Sequence, residues 1–188
     1  MRGQSRRNTS RGGGIGRIRR TPKTSLKPNV WQIVGYKNSG KTTMICALID
    51  RLRQRGYTVA VIKHDHHSFI IDHPHTDTWH HREAGAGAVA ITNSTQTAII
   101  ENRGRNLEQM IIPFQSYDFV LVEGFKNESY PKILLIHDKD SLELLSLTAI
   151  SAVMVWEPMR NSVNMIIPSG IPQYEINDIE GIVRLIDK

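Results

Sequence analysis

The stretch Val30-Trp-Gln-Ile-Val-Gly-Tyr-Lys-Asn-Ser-Gly-Lys-Thr-Thr43 decides the fold. Its first five residues are an apolar, β-prone run. Its centre, Gly35-x4-Gly40-Lys41-Thr42, has the spacing of a phosphate-binding loop. Glycine turns let several backbone N–H groups converge on one anion. Lys41 has the reach for β/γ phosphates, and the Thr42 hydroxyl suits Mg²⁺. The next segment is helical in pattern from Lys41 to Arg55, with Met44, Leu48 and Leu52 at i, i+4, i+8 and Gly56 placed to close it. The loop therefore lies between a strand and a helix N-terminus, where unpaired N–H groups and the dipole favour phosphate. No carboxylate occurs between Val30 and Ile49 to repel one.

Further along, apolar runs alternate with helical patterns. Tyr57–Ile62 is a second strand, and strand, loop, helix and strand make a βαβ unit with parallel strands and a right-handed crossover. Asp77–Ala84 reads as a helix. Val89–Ile91 and Thr97–Ile100 read as two short strands joined by a turn over Thr92–Gln96. The small residues of Ala84-Gly-Ala-Gly-Ala88 predict close backbone approach. A helix over Asn106–Phe114 is interrupted by Pro113. Phe119–Val122, Ile133–Ile136 and Ala152–Trp156 are continuous apolar strands, and a last helix starts at Asn177 or Asp178. Such strands imply a mostly parallel sheet with helices on both faces, a P-loop NTPase-like three-layer α/β sandwich. Ligands on these sheets sit at the carboxyl ends of the strands. Three polar clusters fall there: the loop at 35–42, Lys63–His67, and Glu123–Lys126.

A phosphate loop needs carboxylates for Mg²⁺ and for the attacking water. Asp65, after the second strand, and Glu123, after Phe119–Val122, are the candidates for these catalytic roles. Glu123 is one methylene longer than the usual aspartate, so it can act on the ion through water. No Asn-Lys-x-Asp guanine-reading loop is present; Asp138-Lys139-Asp140 does not match it.

Composition bounds the partners. Residues 1–29 hold nine of the 24 Lys and Arg and none of the 18 Asp and Glu, leaving residues 30–188 with fifteen basic and eighteen acidic side chains, a net −3. The overall +6 belongs to a glycine-rich tail (1–29), read as a disordered basic extension, and the 30–188 domain has no basic excess to suit nucleic acid. No apolar run reaches membrane-spanning length. The single cysteine, Cys46, is expected as a buried core thiol and excludes a disulfide framework within the chain. A cytoplasmic setting follows. Seven of eight histidines lie between His64 and His81, a density that could hold Ni²⁺ or Zn²⁺ and would suit a nucleotide-driven metallochaperone. A polar rim loop is the plainer alternative, with His64 or His66 facing the ligand.

Five blocks occur in order: Val34–Thr43; Lys63-His64-Asp65-x-His67; Asp72-x-Pro74-x-x-Asp77-Thr78-x-x-x-Arg82-x-Ala84-Gly85-Ala86; Val122-Glu-Gly-Phe-Lys126; and Pro131-Lys132. In these the chain resembles the MobB-type molybdopterin-guanine dinucleotide biosynthesis adaptors, over about 30–188. The resemblance implies GTP binding with at most weak hydrolysis, and a homodimer whose sheet continues between subunits. It implies a role beside the molybdenum cofactor guanylyltransferase and other molybdenum-cofactor proteins, with molybdopterin a further ligand. It carries phosphate contact onto Gly35, Tyr36, Lys37, Asn38, Ser39, Gly40, Lys41, Thr42 and Thr43, Mg²⁺ onto Thr42 and Glu123, and the lining of the site onto Lys63, His64 and Asp65. His75 and Thr76 depart from the family's usual pattern, and the tail has no counterpart in it.

Overall fold

The computed structural model describes residues 27–65, 69–163 and 166–188. The expected extension up to residue 26, and His66 and His67, lie outside them. In chain order the elements are β1 (Asn29–Val34), α1 (Lys41–Gln54), β2 (Val59–Lys63), α2 (Asp77–Glu83), β3 (Ala88–Thr92), β4 (Thr97–Glu101), α3 (Leu107–Ile111), β5 (Phe119–Glu123), β6 (Lys132–Ile136), β7 (Ile150–Val155), α4 (Arg160–Val163), β8 (Gln173–Glu175) and α5 (Ile179–Ile186). Six strands form one sheet in the order β2-β5-β1-β6-β7-β8, every pairing parallel. β3 and β4 form a separate antiparallel hairpin.

The apolar runs of β5 and β6 are buried on both sides, which requires a layer on each face. One layer is α1 and α5. Leu48 and Leu52 of α1 and Ile182 and Val183 of α5 close over Ile33, Phe119 and Leu121. Each such side chain, fully buried, stabilises the fold by about 1.5–3 kcal/mol. Asp178 caps α5 by accepting from the Gly181 N–H at 2.8 Å, and Arg55 ties the two helices by pairing with Glu180 at 2.8 Å and Asp187 at 3.2 Å. On the other face α3 sets Leu107 and Ile111 against Ile62, Val120 and Val122, while a 3-10 turn over Asp140–Ser146 sets Leu144 against Val34, Leu134 and Ile136. Three layers result, as the strand pattern predicts.

Between those two patches lie Gln32 and Lys132, register partners on β1 and β6 and both fully buried. Gln32 Nε2 donates to the carbonyls of Gly124 (3.2 Å) and Phe125 (2.6 Å), and Lys132 Nζ donates to those of Glu128 and Tyr130. These polar groups clamp the loop that follows β5. Burial lowers the Lys132 pKa, with Glu128 opposing the shift.

Several expectations change. Cys46 is exposed, because the buried stripe of α1 is Met44, Ile45, Leu48 and Leu52 and position 46 points away from it. A Cβ added at Gly85 or Gly87 would meet nothing, so neither is there to let a side chain pack close; Gly85 instead adopts φ +100 just after α2, a conformation open to glycine. β7 ends at Val155, so Trp156 leaves the strand. The short edge strand β8 has no apolar run to announce it.

Candidate functional site

Gly35 opens the loop because nothing larger fits: a Cβ there would lie 2.5 Å from Ser39 Oγ and 3.2 Å from Leu135 Cβ. The chain then turns through Asn38 at φ 63 and Gly40 at φ +93 into α1. Gly40 is the N-cap, with no side-chain cap and no acidic residue in the first turn, so the first N–H groups of α1 are left for an external acceptor. Ser39 is 1% exposed, and its Oγ has no hydrogen-bond partner among the described residues. An uncapped helix start, a close-approach glycine and an orphaned hydroxyl in one turn fit a phosphate chain.

Lys41 Nζ donates to the Tyr36 carbonyl at 2.7 Å, folded over the loop it belongs to. Burial lowers its pKa, Glu123 opposes the shift, and Lys63 adds to it. An ammonium so placed is stabilised by an incoming anion. Thr42 Oγ1 donates to the Glu123 carboxylate at 3.3 and 3.5 Å. A hydroxyl and a carboxylate converging beside a phosphate cradle are hard oxygen donors of the type Mg²⁺ takes. Tyr36 OH donates to Glu143 at 3.1 Å; burial raises its pKa, and the Glu143 contact adds to the rise.

The ends of β2 and β5 complete the rim. Lys63 and Glu123 are register partners, and the His64 N–H donates to the Glu123 carbonyl at 2.8 Å. Gly124, at φ +96, allows this: a Cβ there would meet His64 at 3.1 Å. The His64 ring lies 4.3 Å from Phe125, tilted by 34°. Gly35, Tyr36, Lys37, Lys41, Lys63, His64, Asp65 and Glu123 line one cavity of about 440 Å³, together with Phe125 and Lys126. Thr42 joins it through Glu123. Asn38, Ser39, Gly40 and Thr43 form the rest of the loop, and Gly40 and Thr43 face a second cavity on its far side.

The Asp72–Arg82 block has a structural role. Thr76 caps α2, accepting from the Trp79 N–H at 3.3 Å, and donates to Asp72 at 2.8 Å. Hydrogen bonds from Thr78 and Thr76 lower the Asp72 pKa. Arg82 donates to the Ile71 carbonyl at 2.9 Å. Among the described histidines of this region, His75 and His80 pack their rings against Trp79 at 5.4 and 4.9 Å. Among the described residues no group of three His, Cys, Asp or Glu is placed to hold a metal ion. Nor, among them, is any helix long and apolar enough to cross a membrane.

Two residues around the loop escape sequence reasoning. Gln32 has a visible signal, a polar side chain inside a continuous apolar strand. Trp156 does not, since it reads as a strand end. Its Nε1 donates to the Ser39 carbonyl at 3.0 Å, and its indole lies where a Gly40 Cβ would approach to 3.3 Å.

Residues 30–156 match the family model described as Molybdopterin guanine dinucleotide synthesis protein B. The chain is 42% identical over 107 residues to the molybdopterin-guanine dinucleotide biosynthesis adapter protein of Haemophilus influenzae, covering 55% of this chain and 60% of that one. It is 29% identical over 161 residues to the adapter protein of the same description from Escherichia coli, covering 80% and 87%. The crystal structure of a MobB homolog from Bacillus stearothermophilus superposes with a TM-score of 0.62 at 26% identity, over 85% of this chain and 95% of that one. The chain belongs to the MobB family.

Proposed function

We propose that this protein is a GTP-binding adaptor that assists attachment of GMP to molybdopterin, acting beside the guanylyltransferase that performs that reaction. The observation that carries the reading is the convergence of the 35–43 loop, Thr42 and Glu123 at the carboxyl end of a parallel sheet in a MobB-family chain. The backbone of Gly35–Thr43 and Lys41 would hold the phosphates, Thr42 and Glu123 would serve Mg²⁺, and Mg²⁺ would supply charge neutralisation at the triphosphate. Lys63, His64 and Asp65 would shape the far wall, where molybdopterin is the natural second ligand. Asp65 and Glu123 are the only carboxylates lining the cavity among the described residues, and they are the groups that would serve Mg²⁺ and the attacking water in any hydrolysis, which this reading takes as weak.

The protein works as a cytoplasmic homodimer in this reading. The β3–β4 hairpin supports the dimer. Its register sets Val89, Ile91, Ala98 and Ile100 on one face and Ala90 and Ile99 on the other, and Ile91 and Ile99 are 55% and 67% exposed. A hairpin with apolar side chains on both faces is not stable by itself in water and calls for a covering chain.

Calorimetry with Mg²⁺-GTP tests the site. The intact chain binds, and Lys41→Ala weakens binding by about 10- to 100-fold, the weight of a charge-assisted contact, while its unfolding midpoint is unchanged. A wild-type chain that gives no heat with the nucleotide refutes the reading.

A further inference from the structure

The phosphate loop has a cavity on each side, and they differ in chemistry. The one toward β2 and β5 carries four lysines, Asp65 and Glu123. The other, about 230 Å³, opens from Gly40 and Thr43 toward the sheet's opposite edge. Met44 and Ala47 of α1, Ile176 and Asn177 of the turn after β8, Ile179 of α5, and the indole of Trp156 line it. A nucleoside triphosphate anchored in the loop must send its heterocycle to one side or the other. In the first cavity the His64 ring is already packed on Phe125 amid the four lysines, whereas in the second a flat, largely apolar ring gains stacking and desolvation against an indole and two isoleucines.

We propose that this second cavity is the nucleoside subsite, that Trp156 is its main affinity determinant, and that it reads the base by shape and stacking rather than by a dedicated hydrogen-bond code. This rests on the phosphate-loop reading above and extends it to base recognition. Trp156 is suited to the task because it is fixed to the loop itself: its Nε1 holds the Ser39 carbonyl at 3.0 Å, so the ring plane and the phosphate cradle move as one body. A preorganised aromatic wall loses little freedom when a ring stacks on it.

The polar side chains in the lining settle how much the base edge is read. Strong guanine selection needs an acceptor carboxylate for the ring N–H and amino group, and none lines this cavity among the described residues. Asp178, which follows Asn177, does not line the cavity and uses one carboxylate oxygen to cap α5 through the Gly181 N–H at 2.8 Å. Asn177 offers one acceptor oxygen and one NH₂ group, and an amide can turn to serve guanine or adenine. Sites that discriminate by 10⁴-fold or more do so through a built hydrogen-bond partner. This pocket has the adaptable kind instead.

The test measures affinities of the full chain for Mg²⁺-GTP, Mg²⁺-ATP and Mg²⁺-tripolyphosphate, the last being the anion without a nucleoside. GTP is expected to bind about tenfold or more tighter than tripolyphosphate, the usual weight of one stacked base, with ATP within about tenfold of GTP. Ala47→Phe, which fills the cavity from a position outside the loop, collapses GTP affinity to the tripolyphosphate level and leaves tripolyphosphate itself unchanged. Trp156→Leu lowers the ratio of GTP to tripolyphosphate affinity in the same direction. A GTP advantage that survives both substitutions, or a GTP-over-ATP preference well above tenfold, overturns the assignment. Failure of the wild-type chain to bind any of the three, tripolyphosphate included, overturns the phosphate-loop reading as well and so is told apart from failure of the subsite alone.

Discussion

The sheet's carboxyl end and the β3–β4 hairpin treat apolar side chains in opposite ways. In β5 and β6 every position from Phe119 to Val122 and from Lys132 to Ile136 is buried. In the hairpin most positions of both strands are exposed, isoleucines included. Both segments are β-prone, so propensity does not separate them. What separates them is cover: the sheet finds α1, α3 and α5 within its own chain, and the hairpin finds α2 on β3 and little else. The site is thus built on a part of the molecule that is complete by itself, while the hairpin leaves exposed the apolar surface that the proposed dimer would cover.

The sharpest break of that contrast replaces Ile91 and Ile99 together by Asp. Ile91 and Ile99 lie one on each face of the hairpin, and losing both from contact removes about 3–6 kcal/mol of association, so sedimentation is expected to show dimers becoming monomers, with Mg²⁺-GTP binding retained. A wild-type chain that sediments as a monomer would remove the dimer from the reading. Next in size is Lys132→Ala within the complete part. It leaves the Glu128 and Tyr130 carbonyls unanswered and a cavity between β1 and β6, and lowers stability to urea by about 2–4 kcal/mol. Lys132→Met, which keeps the volume, costs less.

A smaller effect follows from Lys41. Its folded pKa lies below the ordinary 10.5, chiefly through burial. Anion binding requires the ammonium, so triphosphate affinity is level while pH stays under that lowered value. It declines as pH rises through it, earlier than an exposed lysine would allow, and Lys41→Arg flattens the profile. Smallest is Glu101, at the hairpin's end. Arg105 and then Arg103 hydrogen-bond to it and draw its pKa from 4.5 to about 2. A depressed carboxylate stabilises the fold above its unfolded value and loses that contribution as pH falls from about 4.5 toward 2. Hydrogen exchange of β4 amides is expected to quicken across that window, and Glu101→Gln to abolish the change.

The glycine turn at 35–40, the strand–helix alternation and the hairpin are legible in sequence because each rests on local chemistry: glycine spacing, apolar period and turn residues. The cap of α5 is legible to within one residue, Asn177 or Asp178, for the same reason. What was hidden depends on distant partners. Trp156 is placed by a loop 117 residues earlier. Lys132 belongs to the Pro131-Lys132 motif, yet its burial follows from carbonyls of a loop whose path only the fold sets. Cys46 was misjudged because composition speaks to compartment, and only the helix stripe says which way the residue points.

Lys41 resting on the Tyr36 carbonyl has a consequence for how cargo is taken up. The ammonium braces the turn from inside, so on the proposed reading a phosphate would trade places with an internal acceptor instead of organising a slack segment. A neighbouring protein would then meet one outline with or without nucleotide.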